Sequence, residues 1–191
     1  ATSLHNQFMY NSKGIPTNGI QGFVRHIFSA IKEIEPTHVA VCWDMGQETF
    51  RNEMYDGYKQ NRPAPPDELI PQFDYVKEIS HQFGFVNVGK RNYEADDIIG
   101  SLAETYSQEH EVYIITGDRD LLQCINHNVE VWLIKKGFTI YQRYTLDRFI
   151  DEYGLNPQQL IDVKAFMGDT ADGSQKYIPK FQLKQTNFLK R

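Results

Sequence analysis

The residues best suited to chemistry in this chain are its acids. Asp44 follows the apolar run Thr37-His38-Val39-Ala40-Val41-Cys42-Trp43. Glu94, Asp96 and Asp97 stand in Tyr93-Glu94-Ala95-Asp96-Asp97. Asp118 and Asp120 stand in Thr116-Gly117-Asp118-Arg119-Asp120, and Asp169 and Asp172 in Gly168-Asp169-Thr170-Ala171-Asp172. Two of these groups directly follow strand-like runs. In an open parallel α/β sheet the carboxyl ends of the strands meet along one edge, where ligands bind. Carboxylates gathered there repel one another unless cations hold them. Hard divalent ions take oxygen ligands, and Mg²⁺ commonly pairs carboxylates with a phosphate substrate. The pattern points to metal-dependent phosphoryl transfer.

Phosphodiester hydrolysis needs an activated water and neutralisation of the leaving oxygen. Two metal ions about 3.5–4 Å apart supply both. On a helix starting near Glu94, Glu94 and Asp97 share a face while Asp96 points elsewhere. Asp118 lies just past a strand, and Gly117 permits a tight loop to Asp120. Taken singly, each acid has a plainer role. Asp44 could end a strand, Asp120 could cap Leu121-Leu122-Gln123, Asp97 could pair with an arginine, and Asp172 could sit in a turn. Their recurrence at strand ends, with Arg119 the one basic neighbour, shifts the balance toward metal binding.

A second pattern is basic and aromatic. Arg51, Tyr55, Lys59 and Arg62 advance by four, four and three residues, so on a helix they line one face. That face could grip phosphates, with Tyr55 and Tyr58 offering surfaces for bases. Without the acidic edge, a solvated amphipathic helix would be the better reading. Pro63, Pro65 and Pro66 break any helix here and mark an excursion from the core.

The elements that must position these groups follow from periodicity. Ile20, Phe23, Val24, Ile27, Phe28 and Ile31 recur at a helical period after a cap at Thr17 or Asn18. A strand is expected over 38–43 and a helix from Glu68 to Phe83. A short strand over 85–88 and a helix from Glu94 to Tyr106 follow. Next come a strand from Val112 to Thr116 and a helical turn from Asp120 to Ile125. Val129–Ile134 and Thr139–Tyr141 read as a strand pair turning at Lys136-Gly137. Thr145 caps a helix to about Tyr153, and another runs from Pro157 to Met167. Alternating strands and helices favour a parallel sheet with helices on both faces.

Length and composition are ordinary. The chain has 191 residues, 40% apolar and 24% charged, enough for one substantial domain. A net charge of −5 argues against a simple basic coat for nucleic acid, while leaving room for local basic patches. Cys42 and Cys124 read as reduced core thiols of a cytosolic protein. No apolar run approaches a membrane span and no signal peptide is visible, so the expected compartment is the cytoplasm. The chain begins at Ala1 without a methionine, and after Asp172 its character changes to a basic tail. Both features suggest a fragment, or a chain from which segments are missing.

Several motifs together resemble a known family. Ser12-Lys13-Gly14-Ile15-Pro16-Thr17-Asn18, Phe50-Arg51, Tyr58-Lys59-Gln60-Asn61-Arg62-Pro63, Tyr93-Glu94-Ala95-Asp96-Asp97, Thr116-Gly117-Asp118-Arg119-Asp120 and Gly168-Asp169 look like the signatures of the bacterial 5′→3′ exonuclease and flap endonuclease family. This family comprises the amino-terminal nuclease domain of DNA polymerase I and its free-standing homologues. Each motif alone is weak; the ordered set, from about residue 8 to 172, is specific.

The resemblance implies a PIN-like α/β fold: a mostly parallel central sheet with helices on both faces and a helical arch over the metal site. It implies that Asp44, Glu94, Asp96 and Asp97 serve a first Mg²⁺, and that Asp118, Asp120 and Asp169 serve a second, with Asp172 beside them. Mn²⁺ would substitute. Lys59 and Arg62, supported by Arg51, would meet the scissile or adjacent phosphate, and Tyr55 and Tyr58 would join them in contacting DNA. The implied reaction is hydrolysis of DNA, and of RNA primers, at 5′ ends and flaps by a monomeric enzyme. Two departures stand out. The family's first strand, ending in an Asp-Gly pair, precedes the point where this chain starts. The glycine-rich helix–turn–helix that binds K⁺ in the family is not visible, since Gly173-Ser174-Gln175-Lys176 takes its place. The expected organisation is therefore a nuclease domain over 1–172 and a basic remnant over 173–191. The competing reading is a catalytically inactive flap- or single-strand-binding module of the same fold.

Overall fold

The computed structural model describes residues 9–46, 49–60, 64–135 and 140–168. The expected positions Arg62, Asp169 and Asp172, the turn at Lys136-Gly137 and the tail 173–191 lie outside the described residues.

After a loop bridged at Tyr10 and Pro16, helix α1 spans Asn18–Ile34 and strand β1 Ala40–Trp43. A one-and-a-half-turn helix, α2, covers Phe50–Met54. Helix α3 (Ile70–Gln82), strand β2 (Val86–Gly89) and helix α4 (Ala95–Tyr106) follow. Strand β3 (Val112–Thr116) leads into a 3₁₀ helix, Arg119–Cys124. Strands β4 (Val129–Ile134) and β5 (Tyr141–Tyr144) precede helices α5 (Leu146–Tyr153) and α6 (Gln159–Met167).

Among the described residues the strands form two sheets. β1 and β2 pair in parallel, Ala40 opposite Val86 and Trp43 opposite Gly89. β3 and β4 pair in parallel, Val112 opposite Val129, and β5 closes this sheet antiparallel to β4. The mixture agrees with the mostly parallel α/β reading, and β5 is its antiparallel edge. Helices tie the sheets together. α4 packs against β1, β2 and β3. α1 meets the first sheet through Phe23 on Trp43 (ring centroids 5.9 Å) and the second through His26 on Tyr141 (6.1 Å).

The core lies on one face of the second sheet. Side chains alternate along a strand, so Val129, Val131 and Leu133 share one face of β4. They meet Ile114, Leu121, Leu122, Ile125, Ala103, Tyr144 and Phe149 there. Fully burying one such large apolar side chain contributes roughly 1.5–3 kcal/mol. Trp132 points to the opposite face, between Tyr113 (5.8 Å) and Tyr141 (5.5 Å). Because both faces of β4 are covered, its sequence reads as a nearly continuous apolar run.

Local signals explain most helix ends. The Thr145 hydroxyl accepts from the Arg148 amide and caps α5, which stops at Gly154 in the left-handed region (φ 65). The end of α1 breaks this pattern. Glu35, not glycine, takes the left-handed position (φ 50), and its amide bonds to the Ile31 carbonyl.

Candidate active site

The basic and aromatic stretch does not form the long helix that its spacing suggests. α2 ends at Met54, and Tyr55 is extended (φ −148). The chain then turns back on the Tyr55 ring. A Cβ at Gly57 would lie 2.8 Å from that ring, and Lys59 sits in the left-handed region (φ 56). Five helical residues repay little of the cost of helix nucleation, so the segment takes its shape from docking. The Phe50 amide donates to the Asn92 carbonyl at 3.2 Å, and the Phe50 ring meets Tyr93 at 5.6 Å. Asn92 adopts φ 71, which asparagine tolerates better than most residues.

This docking brings the basic groups onto the amino terminus of α4. Arg51 Nη1 and Nη2 donate to Asp97 Oδ2 and Oδ1 at 2.7 and 2.6 Å. Lys59 Nζ donates to Glu94 Oε1 at 2.7 Å, and the Tyr58 hydroxyl donates to the same oxygen at 3.0 Å. Glu94 and Asp97 also form a reciprocal capping box, with the Glu94 amide donating to Asp97 Oδ2 at 3.0 Å. The expectation that Glu94 and Asp97 share a face, apart from Asp96, describes this geometry. Through their shared hydrogen bonds Asp97 raises the pKa of Arg51, and Arg51 lowers that of Asp97. Tyr55, whose spacing placed it beside Arg51 and Lys59, stays half-exposed over Gly57.

Asp96 faces the other way. Burial, with the nearby carboxylates of Asp118, Asp44 and Glu94, pushes its carboxyl up to about 6, against the pull of Lys59. These acids come from the end of β1, the start of α4 and the end of β3. Asp44 Oδ1 accepts from the Ala95 amide at 2.7 Å, so it caps α4 from a neighbouring strand. Asp118 Oδ1 accepts from the Asp120 amide at 2.8 Å, and Thr116 Oγ1 accepts from the Asp118 amide at 3.0 Å. Asp120 is paired with Lys164 of α6.

The acids therefore divide into two sets. Among the described residues, Asp44, Asp96 and Asp118 form no salt bridge, although Lys59 pulls on Asp96 from nearby. Asp97, Glu94 and Asp120 are each held by a cation. Among the described residues, no three His, Cys, Asp or Glu side chains close on one point as a metal cage. The donor chemistry still suits a hard divalent ion. All the groups are oxygen donors, and the Asp96 carboxyl, raised by burial and then by Asp118, Asp44 and Glu94, carries a charge that such an ion would stabilise.

Sequence reasoning missed Lys164, 44 residues from Asp120, and the tyrosine anchors of Arg119. It also missed Gln72, which is buried and accepts from the Gly19 and Ile20 amides at 2.7 and 3.2 Å, closing the start of α1. No sequence signal distinguished these residues, because each acts across a long separation. Arg119 had looked like the cation compensating Asp118 and Asp120. Its described hydrogen bonds go instead to tyrosine hydroxyls.

Residues 2–154 match the family model described as 5′-3′ exonuclease, N-terminal resolvase-like domain. The chain is 49% identical over 172 residues to the 5′-3′ exonuclease of Bacillus subtilis (strain 168), covering 90% of this chain and 58% of that protein. It is 42% identical over 165 residues to DNA polymerase I of Bacillus caldotenax, covering 86% of this chain and 19% of the polymerase. It thus spans less than two thirds of the length of either relative. Among solved structures, a T5 protein co-crystallised with metal ions superposes with a TM-score of 0.70 at 25% identity, over 84% of this chain and 63% of the other. Among the described residues, no helix is long and apolar enough to cross a membrane.

Proposed function

The chain belongs to the 5′-3′ exonuclease family through its N-terminal resolvase-like domain, and on that premise we propose that it hydrolyses phosphodiester bonds of DNA at 5′ ends and flaps. The observation that carries this reading is that Asp118 and Asp44, at two strand ends, lie near enough to Asp96 to add to the burial that raises its carboxyl to about 6. The relatives' names, a 5′-3′ exonuclease and a DNA polymerase I, support it.

In this proposal Asp44, Asp96 and Asp118 form the heart of the ion site. Glu94 and Asp97 support a first Mg²⁺, and Asp120, Asp169 and Asp172 serve a second. Bound divalent ions would supply an activated water and neutralise charge on the leaving oxygen. The chain's own groups do the rest. Lys59 and Arg62 meet the phosphate, and Arg51 holds the acid pair that receives Lys59. Lys59 is paired with Glu94 in this structure, so an arriving phosphate competes with that carboxylate for its ammonium. Tyr55 and Tyr58 offer rings to unpaired bases. RNA primers as further substrates, Mn²⁺ in place of Mg²⁺, a cytoplasmic location and a monomeric state complete the proposal. So does a nuclease domain over 1–172 with a basic segment over 173–191. K⁺ binding is proposed for the full-length protein only where the family's helix–turn–helix is present.

The test is cleavage of a 5′-flap duplex by the full-length protein in Mg²⁺, beside Ca²⁺ and beside Asp118→Asn. Mg²⁺-dependent cutting at the junction, lost in the variant, supports the proposal. Flap binding without cutting would make this a binding module.

A further inference from the structure

Arg119 has no role in the site as proposed, although it lies between two of its acids. Its Nη2 donates to the Tyr153 hydroxyl and, at 3.5 Å, to the Tyr144 hydroxyl. Tyr144 is 0% exposed. Its hydroxyl donates to Glu152 Oε1 at 2.8 Å and accepts from Gln142 Nε2. A phenol has one proton to give and lone pairs to receive, and this hydroxyl uses both capacities. Tyr153 stacks on Phe149 with centroids 4.5 Å apart and planes 12° apart, and Phe149 is itself fully buried. The two oxygens that anchor Arg119 are therefore fixed by β5, α5 and the core.

The acid loop runs between the end of β3 and the buried Leu121 and Leu122. Among the described residues, Thr116, Asp118 and Asp120 bond within it, Lys164 of α6 reaches Asp120, and Arg119 ties it to β5 and α5. We infer that Arg119 is a positioning residue. Anchored by Tyr153, and by Tyr144 with its Glu152 partner, it fixes the backbone on which the Asp118 and Asp120 carboxylates are presented to a divalent ion. The inference rests on the ion site proposed above. Groups that orient metal ligands from behind typically change metal affinity by about 10–100-fold when removed.

The experiment compares the full-length wild-type protein with Arg119→Gln, Arg119→Lys and Tyr144→Phe. Ca²⁺ is titrated against the thermal midpoint, and Mg²⁺ against flap cleavage. The expected result is a half-saturating ion concentration about tenfold higher or more in all three, with cleavage recovering at high Mg²⁺. Lysine should fail to rescue, because its ammonium ends one atom short of the Nη2 position from which Arg119 reaches both hydroxyls. Variants that titrate like wild type, whatever their ion-free melting, overturn the inference. So does full rescue by lysine, or lost turnover at unchanged half-saturation. If Arg119→Gln does not fold, Tyr153→Phe carries the same expectation. A wild-type protein with no divalent response overturns the ion site itself and this inference with it. A wild-type response with unchanged variants overturns the inference alone.

Discussion

The guanidinium of Arg51 holds both carboxylate oxygens of Asp97, at 2.6 and 2.7 Å, across 46 residues of sequence. Asp97 at the same time caps the amide of Glu94. One paired group thus fixes the docking of α2 and the start of α4. Arg51→Ala is expected to cost about 1 kcal/mol, because the pair is bidentate but partly exposed. A double-mutant cycle with Asp97→Asn, read by denaturant unfolding, should show coupling. Additive effects would mean that the fork contributes nothing to the fold.

Asp96 should make the ion-free protein less stable than it could be. Its carboxyl is raised by burial and by Asp118, Asp44 and Glu94, so ionising it at neutral pH works against folding. Asp96→Asn is expected to raise the ion-free thermal midpoint. In wild type, Ca²⁺ at ten times its dissociation constant should add about 1.4 kcal/mol, or roughly 3–6 °C. The variant should lose that increment. A wild-type melt indifferent to millimolar divalent ion would contradict the clustered site.

Lys59 is expected to matter for turnover more than for binding. Its ammonium is already committed to Glu94 at 2.7 Å, so phosphate must replace a carboxylate partner and little net affinity is gained. Lys59→Ala should lower single-turnover cleavage by about 10²–10³-fold, as when a group aimed at developing charge is removed. Flap affinity should change much less. A loss confined to affinity would reduce Lys59 to a tether.

A pH effect is expected far from the acids. Burial of His26 lowers its pKa below the usual value of about 6.5. The unfolded chain then takes up a proton more readily than the native one. The stability held by the neutral ring is fully present above that value and is lost as pH falls below it. Melting followed from pH 7.5 to 5.5 should fall more steeply, or rise less, in wild type than in His26→Gln, because protonation of Asp96 near 6 works in the opposite direction in both. Parallel profiles would remove His26 as a source of it.

Much of the layout was legible because it depends on near neighbours. Apolar runs located β1, β3 and β4, and a helical period located α1, since both signals arise within a few residues. Acids following β1 and β3 had to emerge at the carboxyl end of a strand. Thr145 and the pair Glu94–Asp97 cap helices through bonds spanning three residues. The 51–62 helix failed as a reading because spacing cannot report that Gly57 folds back on Tyr55 or that Lys59 turns left-handed. Only the tertiary structure decided which cation meets which acid. Arg51 goes to Asp97 and Lys164 to Asp120, while Arg119, adjacent to two acids in sequence, bonds to Tyr144 and Tyr153. Local backbone geometry follows from steric and hydrogen-bonding rules acting over a few residues. Charge pairing falls with distance through space, and that distance is set by how helices and sheets pack.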